Sequence, residues 1–504
     1  MKRWLGGLMA FGLGVRLVFA WAPIDTLIAR TLPDDAFIYF VIARNVAAGL
    51  GATFDGLRPT NGFHPLWTLF IAPIFGLSPS GDLPIHLVLT LSAVCDVVAG
   101  GLTAWVVWRA TRNQLAVKLS LGLYLFNPRL IQESVNGLET GLALLCLSIC
   151  LAAWVGWQEH PDHKGRASLF GLSVGLTFLA RSDLAVISAL LFLAAAIKIR
   201  WQFANLLIAA LIASLTVAPW LIWSQVQIGT VVQSSGVAIP SLVAARIQAA
   251  GDVQFLWDSL LFPILNFSFR NSLIYPGVAI LASLFGLVFV RWPIRSVGAN
   301  TASRELLKQI ASLWLPLVGA LLIVAIHTVV RWYPRGWYFA PLAWAWALVG
   351  GPLLAAGLMS LAGRRFGRIG IVLLGLIVIG QSIKMLNEPE YRSQTDMRRG
   401  ADWLVANTTA ADTVGAFNAG IYAYYSGRRV LSLDGLVDWD AIEARQQNRL
   451  LDYFVERGGT LIVDHRDYIE SFRSFLGSRK LIEVKVLPVI DQTYGPLVIY
   501  SVSN

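Results

Sequence analysis

The sequence predicts a polytopic α-helical membrane protein with a C-terminal soluble α/β domain. Three observations carry that prediction. The 504-residue chain is 56% hydrophobic and only 14% charged, with a mean hydropathy of +0.62, which is more apolar than a soluble core requires. Apolar runs near the ~20 residues that a helix needs to cross a bilayer recur from residue 4 to residue 386. The charge then changes sign: residues 1–387 carry 27 Lys and Arg against 14 Asp and Glu, whereas residues 388–504 carry 13 against 16.

The first run, 4–24, follows Met1-Lys2-Arg3. No small-residue cleavage site follows it, so it reads as an uncleaved first helix. A polar first outer loop, about 25–84, comes next and contains a shorter apolar piece, 64–79, opened by His64-Pro65. Further runs lie at 85–108, 115–127, 138–157, 167–180, 184–199, 203–225, 272–291, 309–330, 338–362 and 369–386. Basic residues orient them. With the N-terminus inside and 64–79 re-entrant or lying along the surface, Lys2/Arg3, Arg109/Arg112/Lys118, Lys164/Arg166, Lys198/Arg200 and the later basic clusters all face the cytoplasm. If 64–79 crossed fully, most of them would invert. The expectation is eleven spans in a plasma (inner) membrane, with a transmembrane domain at 1–387 and an extracytoplasmic domain at 388–504.

The positive excess therefore belongs to cytoplasmic loops, and a pI near 9.6 does not signal nucleic acid. Cys95, Cys146 and Cys150 fall in apolar runs and read as buried structural thiols. The tail has no cysteine, so no disulfide frames it. It reads as strands at 413–417, 429–433, 460–464 and 497–500, alternating with helical spacing at 396–407, 438–457 and 466–476. No internal repeat is visible.

The informative polar residues gather on the outer face of this topology. Asp34 and Asp35 are adjacent just beyond the first run, where two carboxylates are costly unless they bind a cation or handle a proton. Arg44, Asn61 and His64 share their loop, Asn136 and Glu139 open a span, Arg181 and Asp183 sit at a turn, and Arg331, Arg335 and Tyr338 join two late spans. Arginines suit a phosphate because their fork binds oxygens in pairs. Carboxylates supply a base, and Asp34 or Asp35 could hold a divalent ion with a donor phosphate. No His/Cys spacing signals zinc. Arg16 and Asp96 lie inside spans: Arg16 is a candidate for the donor phosphate, and the alternatives are that Arg16 snorkels outward or that the two form a structural pair.

The block from Asp34-Asp35-Ala36-Phe37-Ile38-Tyr39-Phe40 through Ala43-Arg44-Asn45 to Thr60-Asn61-Gly62-Phe63-His64-Pro65-Leu66-Trp67 resembles the first outer loop of bacterial GT-C glycosyltransferases. It is most similar to the arabinofuranosyltransferase AftB-like group. Gly137-Leu138-Glu139-Thr140, Ala180-Arg181-Ser182-Asp183, Trp337-Tyr338-Phe339-Ala340-Pro341 and Phe417-Asn418-Ala419-Gly420 resemble that group in the expected order. The resemblance implies an inverting transferase, a polyprenyl-phosphate sugar donor, surface-lying helices in the first loop, and a first-loop acid, Asp34 or Asp35, as base. At Pro59–His64 the sequence departs from the arabinosyl enzymes, so the resemblance does not fix the sugar.

The expected function is transfer of a single sugar to a cell-envelope glycan, glycolipid or protein on the outer face. Two alternatives remain: a transporter or flippase for a lipid-linked saccharide, and an oligosaccharide ligase or polymerase. Transporters place their polar residues near the midplane and often show repeats, whereas here most lie on one face.

Overall fold

The computed structural model describes residues 2–198, 203–240, 305–306, 308–330, 332, 335–361 and 389–503. The runs expected at 272–291 and 369–386 lie outside the described residues, as does Arg331.

The apolar runs fold as helices: α1 (Lys2–Ala20), α5 (Leu83–Thr111), α6 (Gln114–Leu125), α8 (Thr140–Glu159), α9 (Lys164–Ala180), α10 (Ala185–Lys198), α11 (Phe203–Ile228), α12 (Trp314–Val329) and α13 (Ala340–Leu361). Among the described residues, five helical segments are long and apolar enough to cross a membrane: Arg3–Ala20, Leu83–Thr111, Thr140–Glu159, Phe203–Ile228 and Gly336–Met359. Helix α5 packs against α8, α6 against α13, and α9 against α11. On the far side of α11, Leu207, Leu211 and Leu215 recur every fourth residue and stay exposed. Such an apolar stripe is stable only against lipid or another apolar surface.

Short helices fill the connections. The first loop holds α2 (Ile24–Arg30), α3 (Asp34–Ala47) and α4 (Pro65–Leu77). Helix α3 is buried along nearly its whole length and packs on α4. Pro65 at the first position of α4 costs nothing, because that N–H has no helical partner. Helix α7 (Pro128–Glu133) sits before α8 and is capped by the Asn127 side chain, which accepts from the Arg129 and Leu130 N–H groups.

The C-terminal segment begins with α14 (Gln394–Asn407) and continues through β1 (Thr413–Ala416), α15 (Gly420–Ser426), β2 (Arg429–Ser432), α16 (Trp439–Gln446), α17 (Leu450–Glu456), β3 (Gly459–His465), α18 (Arg466–Ser471), β4 (Lys480–Leu487) and β5 (Leu497–Ser503). The strands form one sheet in the order β2-β1-β3-β5-β4. It is parallel across β2, β1 and β3, and antiparallel from β3 through β5 to β4. The helix expected over 438–457 is two helices, because Asn448 adopts a left-handed φ of 53° that α-helix cannot accommodate. The helix expected over 466–476 ends at Ser471, followed by a 3-10 turn. Strand β4 escaped the sequence reading: it is a largely exposed edge strand, so no buried face imposes a clean alternation.

Candidate active site

Successive residues of an α-helix point about 100° apart, so Asp34 and Asp35, at the start of α3, face different surroundings. Asp34 is only 7% exposed. Its Oδ2 accepts the Gly420 N–H at 3.0 Å and its Oδ1 accepts the Ile421 N–H at 2.7 Å, which satisfies the free amide groups at the start of α15. Gly420 packs so closely that an added Cβ would collide with the backbone oxygen of Asp34. Burial pushes the Asp34 carboxyl up to about 8; the two N–H groups oppose this, and Asp35 and Asp464 add to it. The expected acidic pair is therefore divided. Asp34 gives both oxygens to the tail, and it does not converge with Asp35 on an ion.

Asp35 instead lines a cavity of about 450 Å³. Apolar lining comes from the long helices and their ends: Phe178, Trp220, Leu221, Ile326 and Val330. Further lining comes from the first loop and from Leu436 and Val437 of the tail. The polar groups that converge are Asp35, Tyr39, His64, Glu139, Arg181, Asp183, Gln233, His327 and Tyr338. Asp35 is partly exposed to this space, but protein surrounds it. Burial raises its carboxyl above the ordinary range; the positive charge of Arg335 pulls it down and Glu139 pushes it up.

The other polar groups are held in place. Arg181 grips Asp183 through two parallel hydrogen bonds, Nε to Oδ1 at 2.9 Å and Nη2 to Oδ2 at 2.8 Å. It also donates to the Trp337 carbonyl, lies over the Tyr338 ring, and passes 3.9 Å from Glu139. Burial disfavours the Asp183 carboxylate, but Arg181 and His327 outweigh it and hold the carboxyl below its usual range. His64 Nε2 lies 3.8 Å from Glu139 Oε1, and its backbone N–H donates to the Tyr39 hydroxyl at 3.1 Å. Burial depresses the His64 pKa; Glu139 and Asp183 oppose this, while Arg181 reinforces it. His327 Nε2 lies 3.5 Å from Asp183, with Trp332 stacked beside its ring and Tyr338 meeting it edge-on.

Of the residues singled out in the sequence, Asp35, His64, Glu139, Arg181, Asp183 and Tyr338 thus reach one cavity. Arg335 does not line it; its guanidinium lies 5.9 Å from the Trp337 ring centre and acts on Asp35 through its charge. Four others are placed elsewhere. Arg16, expected at the donor phosphate, is fully buried against Asp96, with Nε to Oδ2 at 2.8 Å, and Tyr124 binds the other Asp96 oxygen at 2.7 Å. Arg44 reaches the tail, where it donates to the carbonyls of Ala423 and Tyr424. Asn136 binds Glu133 at 2.6 Å and accepts the Leu138 N–H at 2.9 Å, so it shapes the turn before α8. Asn61 ties the Val232 carbonyl to the Trp439 indole. Tyr39, Gln233, Trp332 and His327 were missed; a histidine near the end of an otherwise apolar run was the one available signal. Among the described residues, no three His, Cys, Asp or Glu side chains are grouped to hold a metal ion.

Compared with solved structures, the fold aligns with ArnT from Cupriavidus metallidurans bound to undecaprenyl phosphate at a TM-score of 0.58 and 13% identity, over 99% of this chain and 98% of that one. The apo state of the same protein gives 0.56 and 14%, with the same coverage. The Archaeoglobus fulgidus oligosaccharyltransferase tethered with an acceptor peptide gives 0.54 and 13%, over 92% of this chain and 69% of that one. A family described as "Domain of unknown function (DUF8728)" matches residues 384–495. No curated protein matches the sequence. At these identities the likeness is one of fold alone.

Proposed function

We propose that the chain is a membrane glycosyltransferase that moves a single sugar from a polyprenyl-phosphate donor to an envelope glycan, glycolipid or protein, with inversion, and with Asp35 as general base. The observation that carries this reading is the position of Asp35. It is the one member of the acidic pair that lines the cavity, and that cavity combines apolar residues of the long helices with a set of converging polar groups. A lipid-linked donor needs both kinds of lining. The undecaprenyl phosphate bound to the similarly folded ArnT supports this donor class. The first-loop resemblance keeps arabinofuranose among the candidate sugars.

In this mechanism an acceptor hydroxyl attacks the anomeric carbon while Asp35 takes its proton. The bond from that carbon to the phosphate oxygen breaks, its electrons leave with the polyprenyl phosphate, and attack from the opposite face inverts the centre. Arg181, Tyr338 and His327 line the same cavity and present charge and hydrogen-bond donors to the phosphate as it develops negative charge. The protein lies in the plasma (inner) membrane with eleven spans, a cytoplasmic N-terminus, and the 388–504 domain outside. The pairing of Asp96 with Arg16 and Tyr124 leaves that acid occupied, which weakens the flippase alternative.

The test is transfer from a panel of polyprenyl-phosphate sugars by purified protein in detergent, wild type beside Asp35→Asn. Turnover should fall by about 10²–10⁴-fold in the variant, with undecaprenyl-phosphate binding retained. Equal turnover in both proteins removes Asp35 as base. Saccharide movement across vesicles without any transfer rejects the glycosyltransferase.

A further inference from the structure

Donor and acceptor must reach Asp35 from different sides. Resting on the glycosyltransferase reading above, the prenyl chain belongs with the apolar lining from the helices. The acceptor must then arrive past Leu436 and Val437, where the tail meets the first loop. A second pocket, of about 180 Å³, opens on the other side of Val437, which is a wall of both cavities. It is lined by Asp55 and Arg58 of the first loop, Gln227 at the end of α11, and Asp438, Trp439 and Asp440 of the tail. We propose that this seam pocket binds a neutral sugar residue of a glycan acceptor and so guides its hydroxyl to Asp35.

The chemistry fits a sugar in two ways. The Trp439 indole N–H donates to Asn61 Oδ1 at 2.9 Å, which fixes the plane of an apolar ring against which the C–H face of a sugar can lie. Around it, charged groups are pinned by partners but keep open edges for hydroxyls. Asp440 bridges Arg58 and Arg457, while Arg58 and Asp440 remain 47% and 43% exposed. Asp55 holds Arg429 at 3.1 Å, and the Asp438 carboxylate accepts from the Tyr453 hydroxyl. Each arginine here faces a carboxylate, so the pocket offers many hydrogen bonds and little net field. That balance suits a neutral polyhydroxyl ligand better than an anion or a cation. Leu436, next to the shared Val437, is braced independently: the Ser234 hydroxyl donates to the Leu436 carbonyl at 2.6 Å, and Gly62 packs where a Cβ would strike that same oxygen.

The test uses the full chain in detergent and saturation-transfer NMR with the methyl glycosides of mannopyranose, glucopyranose and arabinofuranose. Wild type should give a signal with at least one glycoside. Trp439→Ala should weaken that binding about tenfold. Gln227→Trp, which fills the mouth from α11 and removes no ion pair, should abolish it while undecaprenyl-phosphate binding stays unchanged. Silence from all three glycosides, or a signal that survives both substitutions, overturns the proposal. Glycoside binding in a protein that binds no undecaprenyl phosphate would support the pocket and count against the proposed donor.

Discussion

Asp34 Oδ2 accepts the backbone N–H of Gly420 at 3.0 Å, across 386 residues of sequence. Beside that bond, Ile421 donates to the other oxygen, and Arg44, three turns along α3, reaches the carbonyls of Ala423 and Tyr424. One face of α3 thus holds α15, while Asp35 opens into the cavity. The tail is fastened to the helix that carries the proposed base, so disturbing either side of the contact should be felt in the other.

Asp34→Ala leaves two buried amide N–H groups without an acceptor. Each unsatisfied group costs about 1–3 kcal/mol, so melting temperature should drop and protease should cut residues 389–503 sooner. Gly420→Ala should act similarly, because its Cβ meets the Asp34 backbone oxygen. Asp35→Asn should leave both readouts near wild type. An Asp34→Ala protein as stable and as protease-resistant as wild type would show that the contact does not hold the tail.

The pH profile should separate the neighbours of Asp35. A base works only when ionised, and burial raises this carboxyl. Activity should therefore fall, as pH drops, through a value above the ~3.9 of an ordinary aspartate. Arg335 lowers the Asp35 pKa and Glu139 raises it. Arg335→Ala should move the acid limb of kcat/KM to higher pH, and Glu139→Gln should move it lower. Movement of both limbs in the same direction, or of neither, would place the titrating group elsewhere.

The helices and the acidic pair were legible because apolar runs of membrane length have few other uses, and because adjacent carboxylates at their edge are expensive. The different fates of Asp34 and Asp35 were not legible. They depend on α15, nearly 400 residues away, and a helix turns each side chain to a different neighbour. The same distance hid Arg44 and Asn61, whose partners Tyr424 and Trp439 belong to the tail. Asn136 looked like a site residue because it neighbours Glu139, but its amide is used by Glu133 one turn earlier.

Arg16 and Asp96 give a final prediction about the bundle interior. Arg16 Nε and Nη2 both reach Asp96 Oδ2, its Nη1 donates to the carbonyls of Gly12 and Leu125, and both side chains are essentially unexposed. Removing one charge strands the other in a low-dielectric site, which costs about 3–5 kcal/mol. Arg16→Leu and Asp96→Leu should each lose that much stability or fail to accumulate. The Arg16→Leu/Asp96→Leu double variant should recover most of it, because an apolar pair needs no solvation. The double variant also tests the role first suggested for Arg16. If the arginine serves only its partner, undecaprenyl-phosphate affinity in the double variant will match wild type. A stable double variant that has lost that affinity would put Arg16 back at the donor phosphate.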